Sequence, residues 1–569
     1  MPIGDFGQIV NIHKTLAECM KTWKSNLEET KQHYLDWWNH KGIVLNMWEH
    51  FQEGVEPHAG VATPLPPVDL NQKWFDPEWR AGYLDWYVAH SSLMADMLPV
   101  ANTQLGPGSL AAILGGVFEG GEDTIWIHPD PDFKEDIVFN SEHPNWILHK
   151  ELLKACKKKA AGHYYVGMPD LMEGLDVLAA LKGTDKVLLD TVMQPEVLEH
   201  QMQQINDIYF KVFDELYDII REGDEMAFCY FSSWAPGKMT KLQSDISTMI
   251  SEDDYRRFVQ PFIREQCRKI EYTLYHLDGV GAMHHLPALL EIDELNAIQW
   301  TPGVGEPQGG SPKWYDLYRK ILAAGKSVMA CWVTLDELKP LLDAIGGDGV
   351  HIEMDFHNEK EVEQAMKIVE EYTSKVNSEA VGETGEKQNS VNDTELEKIK
   401  IDRVSEKSDE ALQPLFDAIV GGRLESAVEV TKQAIADRVA PQEIINKYMI
   451  KAMGEVGQRF QDGKAFVPQL LMAGRAMKGA LELLKPLLQG TASTTIGKVV
   501  IGTVKGDLHD IGKNLVASML EGCGFEVINI GIDVSCDKFV EAVKDNHADI
   551  LCMRALLTTT MTYMKEVIQ

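Results

Sequence analysis

The amino-acid sequence predicts an α/β protein made of a (β/α)8 barrel, then a four-helix cap bundle, then an incomplete Rossmann-like parallel α/β domain. Short apolar strands alternate with amphipathic helices over roughly the first 350 residues, which is the pattern of repeated βα units. A polar linker follows, and after it come consecutive helices and then three strands separated by helical stretches. An open doubly wound sheet is the alternative for the first part, because it repeats the same βα unit.

The composition of the 569-residue chain limits the partners that we expect. A formal net charge of −33 argues against nucleic acid, because binding to phosphates relies on clustered lysine and arginine. The first residues do not resemble a signal peptide, and no apolar run reaches the roughly 18–20 residues of a membrane span. Eight cysteines without a C-x-x-C pair are typical of reduced thiols. These features predict a cytoplasmic protein that binds neither nucleic acid nor membrane.

The predicted barrel is defined by β-rich runs and the helical patterns between them. The predicted strands are Ile43–Trp48, His163–Gly167, Met226–Phe231, Tyr272–Leu277, Ala297–Trp300, Ser327–Trp332 and Val350–Met354. Helix-length patterns such as Glu252–Thr273 and Trp314–Ala324 lie between them. In such barrels the chemistry takes place at the carboxyl ends of the strands. The side chains expected there are aromatic rings with a few polar groups: Trp48, Trp234, His276, Asp278, Trp300, Trp332 and Glu353.

The predicted domains follow a change in sequence texture. Residues 376–400 are polar and charged without apolar spacing, and all thirteen tryptophans precede them. The predicted domains are a barrel at 1–375, a linker at 376–402, a helical bundle at 403–490 and an α/β domain at 491–569. The predicted bundle helices are Asp409–Val420, Leu424–Arg438, Pro441–Gln461 and Phe466–Leu488, and the predicted later strands are Lys498–Val504, Phe525–Gly531 and Asp549–Arg554. A doubly wound domain normally has about five or more strands, so we expect this one to be truncated at its C-terminus.

The segment KVVIGTVKGDLHDIGKNLVASML contains the most informative motif. A predicted strand runs into Gly506, a loop carries Asp507, His509 and Gly512, and a helix begins near Lys513. The loop therefore lies at the carboxyl edge of a parallel sheet, where such folds bind ligands. The His509 imidazole can offer a ring nitrogen to a metal, and the Asp507 carboxylate can hold the other nitrogen and fix the tautomer. The alternative is a loop histidine that forms only local hydrogen bonds.

From about residue 405 onward, the sequence resembles the corrinoid-binding region shared by cobalamin-dependent methionine synthase and the methylamine and methanol corrinoid proteins. The D-x-H-x-x-G motif, the later Arg554-Ala555-Leu556 and the upstream helical segment MGEVGQRFQDGKAFVPQLLMAGRAMKGALELLKPLL carry this resemblance. It implies that cobalamin is the cofactor, that His509 is the lower cobalt ligand, and that Asp507 supports it. The implied cofactor-binding residues are Asp507, His509, Asp510, Ile511, Gly512, Leu556 and Thr560, with Phe466, Val467 and Leu470 on the cap over the methyl-bearing face.

The chain departs from that family pattern at two points. Arg554 stands where serine is usual, which affects the expected contact to the nucleotide tail of the cofactor. The Gly-Gly pair that belongs to the pattern does not occur before the chain ends. Thr560 does match the hydroxyl that completes the family's proton relay.

A second, weaker motif lies in the predicted barrel. The segment YHLDGVGAMHHL places His276 and Asp278 at a strand end, and their alternation puts both side chains on one face. Together with a third ligand from a later strand they could hold Zn²⁺. The nearest candidates for that third ligand are Glu353, Asp355 and Cys331. The alternative is that His276 and Asp278 hydrogen-bond each other and position a substrate.

Over residues 1–375 the sequence resembles the uroporphyrinogen decarboxylase-like methyltransferases. Stretches such as PDLMEGLDVLAALKGT and YHLDGVGAMHHLPALLEIDELNAIQW carry the resemblance. In the coenzyme M methyltransferase branch, the equivalent of the segment from His276 to Gly279 reads H-x-C-G and supplies a histidine and a cysteine to zinc. Asp278 replaces that cysteine here, which makes the ligand set harder. A barrel followed by a corrinoid module is also the layout of chloromethane methyltransferase.

The two resemblances imply a corrinoid-dependent methyltransferase that moves a methyl group from a small amine, betaine, ether or halide to cobalt(I) of its own corrinoid module. A metal at His276 and Asp278, or a proton from Asp245 or Asp278, would take up charge as the bond to methyl breaks. The expected partners are a second methyltransferase and a reductive activator. The alternatives are transfer from the methyl-corrinoid to a thiol or pterin, and a corrinoid-binding sensor.

Three tryptophans of the predicted barrel suggest a substrate site. Trp234, Trp300 and Trp332 could form an aromatic cage for a quaternary ammonium donor through cation–π attraction. The alternative is that these rings fill the end of the barrel and pack against helices.

Overall fold

The structure is a computed structural model that describes residues 22–58, 60–106, 108–122, 124–379, 412–488, 497–507, 511–522, 524–555 and 561–568. The chain divides into two compact units, the first formed mainly by residues before 380 and the second mainly by residues after 411. None of the described helices combines the length and the apolar character that a membrane crossing needs.

Strands and helices alternate along most of the chain before residue 380. The strands there are β1 (Ile43–Asn46), β2 (Val100–Ala101), β3 (Val117–Gly120), β4 (Ile125–His128), β5 (Tyr165–Met168), β6 (Met226–Phe228), β7 (Ser233–Ala235), β8 (Met239–Leu242), β9 (Tyr272–Asp278), β10 (Ala297–Thr301), β11 (Ser327–Val333) and β12 (Val350–Met354). The helices there are α1 (Leu27–Trp38), α2 (Leu70–Phe75), α3 (Pro77–His90), α4 (Ser109–Ile113), α5 (Pro144–Ala160), α6 (Gly174–Lys182), α7 (Thr184–Met193), α8 (Pro195–Ile220), α9 (Glu252–Phe258), α10 (Gln260–Lys269), α11 (Leu286–Leu290), α12 (Tyr315–Ala323), α13 (Leu335–Ile345) and α14 (Glu359–Glu379).

Parallel pairing dominates the sheets of the first unit. One sheet has the strand order β1-β12-β11-β10-β9-β8, and every neighbouring pair in it is parallel. A second sheet has the order β2-β5-β6-β7, in which only the last pair is antiparallel, and β3 and β4 form a hairpin. The predicted mixed α/β class is therefore confirmed. Hydrogen-bond ladders do not join the described strands into one closed ring, so the (β/α)8 barrel stays a prediction.

One element of the sequence prediction is wrong in its extent. The helix predicted over Glu252–Thr273 is two helices, because α9 ends at Phe258 and α10 begins at Gln260. Pro261 lies in the first turn of α10, where its missing N–H costs no helical hydrogen bond. Thr273 lies in β9.

The second unit begins with helices that pack around a common apolar core. They are α15 (Gln413–Val420), α16 (Leu424–Ala436), α17 (Pro441–Ile444), α18 (Ile450–Gln461) and α19 (Val467–Leu484), with a π-helical turn at Ile445–Met449 between α17 and α18. These segments agree with the helices expected from the sequence. The linker predicted at 376–402 starts inside α14 and otherwise lies outside the described residues, so the domain limits stay predictions.

A parallel sheet with flanking helices follows the bundle. Its elements are β13 (Lys498–Thr503), α20 (Ile511–Gly522), β14 (Glu526–Asn529), α21 (Cys536–Asn546), β15 (Ile550–Arg554) and α22 (Thr562–Ile568). The strand order is β14-β13-β15, with both pairs parallel, so the predicted Rossmann-like arrangement is confirmed. Gly502 in β13 permits close packing, because a Cβ atom there would lie 2.8 Å from side-chain atoms of Ile530 and Phe539.

Candidate functional site

Polar side chains from neighbouring strands share one face of the six-stranded sheet. His276 on β9 is in register with Gln299 on β10, and Gln299 Nε2 donates to Cys331 Sγ on β11 over 3.1 Å. Further along the sheet, Glu353 on β12 is in register with Asn46 on β1. In-register residues of parallel strands point to the same side, and so do alternate residues of one strand. The sheet order therefore brings together polar groups that lie far apart in the sequence.

Asp245, His276 and Asp278 form a group of candidate metal ligands. One ligand atom from each lies within 4.8 Å of the others. His276 and Asp278 end β9, and Asp245 begins the 3₁₀ helix Asp245–Met249 shortly after β8. Among the residues that the structure describes, Glu353 does not belong to this group. One imidazole and two carboxylates form a hard-to-borderline donor set that suits zinc or another divalent cation.

His276 is held as a neutral imidazole. Its side chain is buried, and its Nδ1 hydrogen-bonds to Gln299 Oε1. Burial lowers the pKa of His276 to about 3, and the positive charge of Lys241 acts in the same direction. Because an amide oxygen only accepts, Nδ1 carries the proton in this arrangement and Nε2 keeps its lone pair. The Gln299 amide is oriented in turn by donation from its Nε2 to Thr301 Oγ1 over 2.7 Å.

A buried lysine organises the other side of the group. Lys241 Nζ lies 2.5 Å from Asp170 Oδ2 and also hydrogen-bonds to Gln243 Oε1. Gln243 Nε2 donates to Asp245 Oδ2 over 3.0 Å. The Lys241 ammonium also lies 4.9 Å from the centre of the Tyr230 ring. A chain of polar contacts therefore runs from a buried ion pair to the candidate ligands.

The two carboxyl groups of the candidate ligands have raised pKa values. The Asp245 side chain reaches the surface, but surrounding protein atoms exclude much of the water, and this raises its pKa well above its usual range. Repulsion from Asp176, which accepts the Asp245 backbone N–H over 2.8 Å, raises the Asp245 pKa further. Partial burial also raises the pKa of Asp278, although the Lys241 charge opposes it. Such groups are suited to proton donation nearer to neutral pH.

Glu353 also lies on this face of the six-stranded sheet, and it is a buried acid. It is only 1% exposed, and neither carboxylate oxygen has a hydrogen bond of normal geometry to a described residue. Burial raises the pKa of Glu353 to about 7, although the neighbouring Cys331 thiol acts in the opposite direction. This carboxyl group is therefore substantially protonated at neutral pH.

The three tryptophans predicted as a cage occupy different environments. Trp300 is fully buried and follows Gln299 in β10, so it points to the opposite face of the sheet. Trp234 is 2% exposed on β7, and Trp332 is half-buried and stacks on Trp48 at 5.9 Å. No ring contact between described residues joins any two of the three predicted cage residues. The cage stays a prediction that the structure does not assemble.

Asp507 lies at the carboxyl end of the central strand of the second unit and is fully buried. Its backbone N–H donates to the Val504 carbonyl over 3.1 Å, and its own carbonyl accepts from the Asp533 N–H over 3.2 Å. Gly506, with a φ of 79°, allows the turn that leads into Asp507. The backbone of α20 then begins at Ile511 and includes Gly512. His509, Asp510, Leu556 and Thr560 lie outside the described residues.

The cap residues predicted from the sequence lie at the start of α19. Val467 is 5% exposed and Leu470 is 3% exposed, whereas Phe466 is half-buried just before the helix. Leu470 belongs to a buried cluster against which Met519 of α20 packs. The helical bundle thus contacts the helix that follows the Asp507 loop.

Comparisons with known proteins agree with this arrangement. Residues 411–485 and 497–569 each match a family described as a B12 binding domain. The dimethylamine corrinoid protein of Methanosarcina barkeri is 42% identical over 162 residues, which are 28% of this chain and 76% of that protein. The chain belongs to the family of B12-binding corrinoid proteins. Its cofactor is cobalamin. Asp507 is buried and precedes His509 by two residues, and a carboxylate that can support an imidazole ligand is a donor set that fits cobalt.

Two further relatives illustrate the extent of this corrinoid protein's similarity. The trimethylamine corrinoid protein 1 of Methanosarcina acetivorans is 42% identical over 155 residues, which are 27% of this chain and 72% of that protein. The crystal structure of the methanol:cobalamin methyltransferase complex from Methanosarcina barkeri is matched at 34% identity with a TM-score of 0.26. That match covers 28% of this chain and 61% of the length of the other.

Sequence patterns missed several residues that shape the site of the first unit. Lys241 and Gln243 were overlooked because β8 is short and its MTKL segment mixes polar and apolar residues. Asp170 follows β5 by two residues, and this position at a strand end is the signal that could have identified it. Gln299 gave no signal, because its role depends on the register between β9 and β10.

Proposed function

We propose that this corrinoid protein is a methyltransferase that moves a methyl group from a small methylated donor to the cobalamin of its own C-terminal region. An amine, a betaine, an ether or a halide would serve as the donor. The observation that carries the proposal is the joining, in one chain, of a B12-binding region to a unit whose strand ends hold Asp245, His276 and Asp278 together. Bound cobalamin supplies a cobalt nucleophile for the methyl group.

Residues of the B12-binding region would hold the cofactor. His509 would offer a ring nitrogen to cobalt, and Asp507 would hold the other nitrogen of the same ring. The burial of Asp507 supports this role, because a carboxylate shielded from water binds an imidazole N–H more strongly. Thr560 would extend the hydrogen bonding that controls protonation of the pair.

The residues of the first unit would assist departure of the donor. An amine or ether leaves poorly unless a proton or a cation takes up the developing charge. His276, neutral and with Nε2 available, would hold a divalent cation such as zinc together with Asp245 and Asp278. In the absence of a cation, the raised pKa of Asp245 would allow its carboxyl group to deliver a proton to the leaving atom.

The proposed activity also has implications for the fold of the first unit, for partner enzymes and for the donor class. The two larger sheets of the first unit would together form a distorted (β/α)8 barrel, which is supported by the contact between β6 and β8. A second methyltransferase would remove the methyl group, and a reductive activator would restore the cofactor in the cytoplasm. The relatives named for dimethylamine and trimethylamine support a methylated amine as one donor class.

The proposal is tested with the full chain, loaded with cobalamin and reduced under anaerobic conditions. Methylamines, betaines, methoxyarenes and halomethanes are added in turn, and the visible absorbance of the cofactor reports methyl transfer. We expect at least one donor class to change the spectrum. His509→Ala should change the cofactor spectrum before any donor is added, and His276→Ala should slow the transfer.

His357→Ala is the matched control, because His357 is exposed and pairs only with Glu361 in the described part of the chain. It should behave like the unmodified protein. An unchanged spectrum and rate in both His509→Ala and His276→Ala would contradict the proposal. Demethylation of methylcobalamin by thiols, without any response to donors, would favour transfer in the opposite direction.

A further inference from the structure

The first unit contains a cavity of about 980 Å³ whose lining does not include Asp245, His276 or Asp278. Aromatic rings dominate its wall: Trp48, Trp74, Trp79, Trp86, Tyr83 and Tyr87. Four of these residues come from α3, at spacings that place them along one side of the helix. Trp79 and Tyr83 stack with an interplanar angle of 6° and a centroid separation of 5.6 Å. Such a wall suits a flat or methylated apolar body.

Arg80 brings a positive charge into this aromatic wall. Its side chain lines the cavity and is only 9% exposed. Nη2 donates to the Gln104 carbonyl over 2.6 Å, and the guanidinium lies 4.8 Å from the centre of the Trp74 ring. Nε is buried without a hydrogen-bond partner. No described carboxylate lies within ion-pair distance of this guanidinium.

A buried cation without a counter-ion is costly to the fold. Burial lowers the pKa of Arg80 to about 10, and the groups that oppose this effect are thiols and a phenol, namely Cys156, Tyr83 and Cys229. The acidic residues that also line the cavity, Glu49, Asp69 and Glu122, are exposed and remain in contact with water. A ligand that brought a counter-ion to Arg80 would offset the cost of this uncompensated charge.

We propose that Arg80 binds the carboxylate of a small ligand whose flat, methylated body lies against the rings of the cavity, and that this ligand is the methyl donor. This inference rests on the proposed function for the donor role but not for the binding itself. A guanidinium binds a carboxylate through two parallel hydrogen bonds, which orients the ligand as well as holding it.

The position of the cavity agrees with a donor site. Trp48 in its wall packs on Tyr230 with ring centres 4.4 Å apart, and Tyr230 in turn lies 6.0 Å from the His276 ring. Cys229, next to Tyr230 in the chain, also lines the cavity. Phe231 also lies between Trp48 and His276, with ring centres 5.1 Å and 5.6 Å from theirs, so one layer of two aromatic residues separates the cavity wall from the candidate ligand group.

The test compares ligands that differ only in charge. Isothermal titration calorimetry with the full chain measures the affinities for 3-methoxybenzoate and for its neutral amide, 3-methoxybenzamide. We expect the carboxylate to bind at least tenfold more tightly, since a charge-assisted hydrogen bond is stronger than one between neutral groups. Equal affinities for the two compounds would overturn the inference without any variant. Glycine betaine is measured as well, and its binding in place of the benzoate would overturn the assignment of a flat ligand body.

Variants locate the carboxylate contact. Arg80→Met should remove the preference for the carboxylate, and Arg80→Lys should keep part of it, because lysine retains the charge but not the paired donors. Arg257→Gln is the control, since Arg257 is an exposed residue paired with Glu199 at 2.6 Å. A folded Arg80→Met protein with an unchanged preference would overturn the inference.

A methyl-transfer assay with charged and uncharged donors distinguishes failure of the Arg80 site from failure of the proposed methyltransferase activity. Transfer only from uncharged donors would overturn the donor assignment and leave the methyltransferase proposal intact. A carboxylate preference that depends on Arg80, in a protein that transfers no methyl group from any donor, would keep the binding site and overturn both the donor role and the methyltransferase proposal.

Discussion

The ammonium of Lys241 lies 2.5 Å from a carboxylate oxygen of Asp170, and their side chains are only 1% and 2% exposed. This ion pair is shielded from water on all sides, next to the candidate ligands Asp245 and His276. The lysine charge helps to keep His276 neutral and opposes the rise in the pKa of Asp278. One buried cation therefore influences both the stability of the first unit and the protonation of its site.

Removal of that cation should destabilise the first unit strongly. Lys241→Met leaves Asp170 as a buried charge without a counter-ion, so we expect a loss of about 3–5 kcal/mol in the free energy of unfolding. Urea unfolding followed by tryptophan fluorescence reports this unit, because every tryptophan precedes residue 333. The double variant Lys241→Met/Asp170→Asn should recover much of the loss.

The matched control for that prediction is an exposed pair. Lys238 lies 2.7 Å from Asp214, with side chains 35% and 58% exposed, so Lys238→Met should cost less than about 1 kcal/mol. Similar losses for Lys238→Met and Lys241→Met would contradict the buried-pair interpretation.

Metal binding should depend on His276 and not on Glu353. After incubation with zinc and dialysis, metal analysis should show bound zinc in the unmodified chain and much less in His276→Ala, because the group loses its nitrogen ligand. Glu353→Gln should retain the metal. Asp278→Cys should bind zinc more tightly, since zinc prefers a thiolate to a carboxylate. Equal zinc contents in the unmodified chain and in His276→Ala would argue against a metal in this group.

Glu353 should make the stability of the first unit depend on pH. Its pKa rises from 4.5 in the unfolded chain to about 7 in the folded one, so folding favours the protonated form. The resulting stabilisation is fully present below pH 4.5 and is lost as the pH rises through 7. The total change is on the order of 3 kcal/mol, from about 1.4 kcal/mol per pKa unit.

Glu353→Gln should remove this dependence, because glutamine resembles the neutral acid. Thermal unfolding followed by tryptophan fluorescence should give similar midpoints for the variant and the unmodified chain at about pH 4, below the pKa of Glu353 in the unfolded chain. The variant should be more stable at pH 8. A constant difference between the two proteins across this range would show that Glu353 does not titrate as expected.

One substitution, glycine to alanine, should have opposite effects at two sites of the second unit. A Cβ at Gly502 would lie 2.8 Å from Ile530 and Phe539, so Gly502→Ala should destabilise the sheet by about 1–3 kcal/mol and weaken cobalamin retention.

At Gly454, inside α18, a Cβ would meet no atom within 4 Å, so Gly454→Ala should stabilise that helix by about 1 kcal/mol. Hydrogen exchange of peptides that cover β13 and α18 measures each effect locally. Faster exchange of α18 in Gly454→Ala would contradict the second expectation.

Much of the fold could be predicted because the apolar patterns that indicate strands and helices lie within short stretches of sequence. The strand predicted at Val350–Met354 has the same limits in the structure, and the pattern after residue 411 gave every described helix of the bundle. Very short elements were missed, because two residues such as Val100–Ala101 carry no periodicity. The prediction treated α9 and α10 as one helix, because the apolar pattern continues past Pro261 although the backbone hydrogen bonding is interrupted there.

The site was predicted only in part, for a related reason. His276 and Asp278 are two residues apart on one strand, so alternation alone places them on one face. The sequence did not identify Glu353 as a separate buried acid, nor did it single out Arg80. Their properties depend on which groups surround them, and those groups come from several distant segments.

The sequence by itself predicted the strand, the Asp507 loop and the helix that follow one another along the chain, and a parallel sheet of this kind places that loop at its carboxyl edge. The resemblance of the region after residue 405 to corrinoid proteins identified it as B12-binding. Only the tertiary structure decided that Asp245 joins His276 and Asp278, and that Lys241 pairs with Asp170. Side-chain distances across a sheet depend on strand order and register, which non-local packing sets and local patterns do not encode.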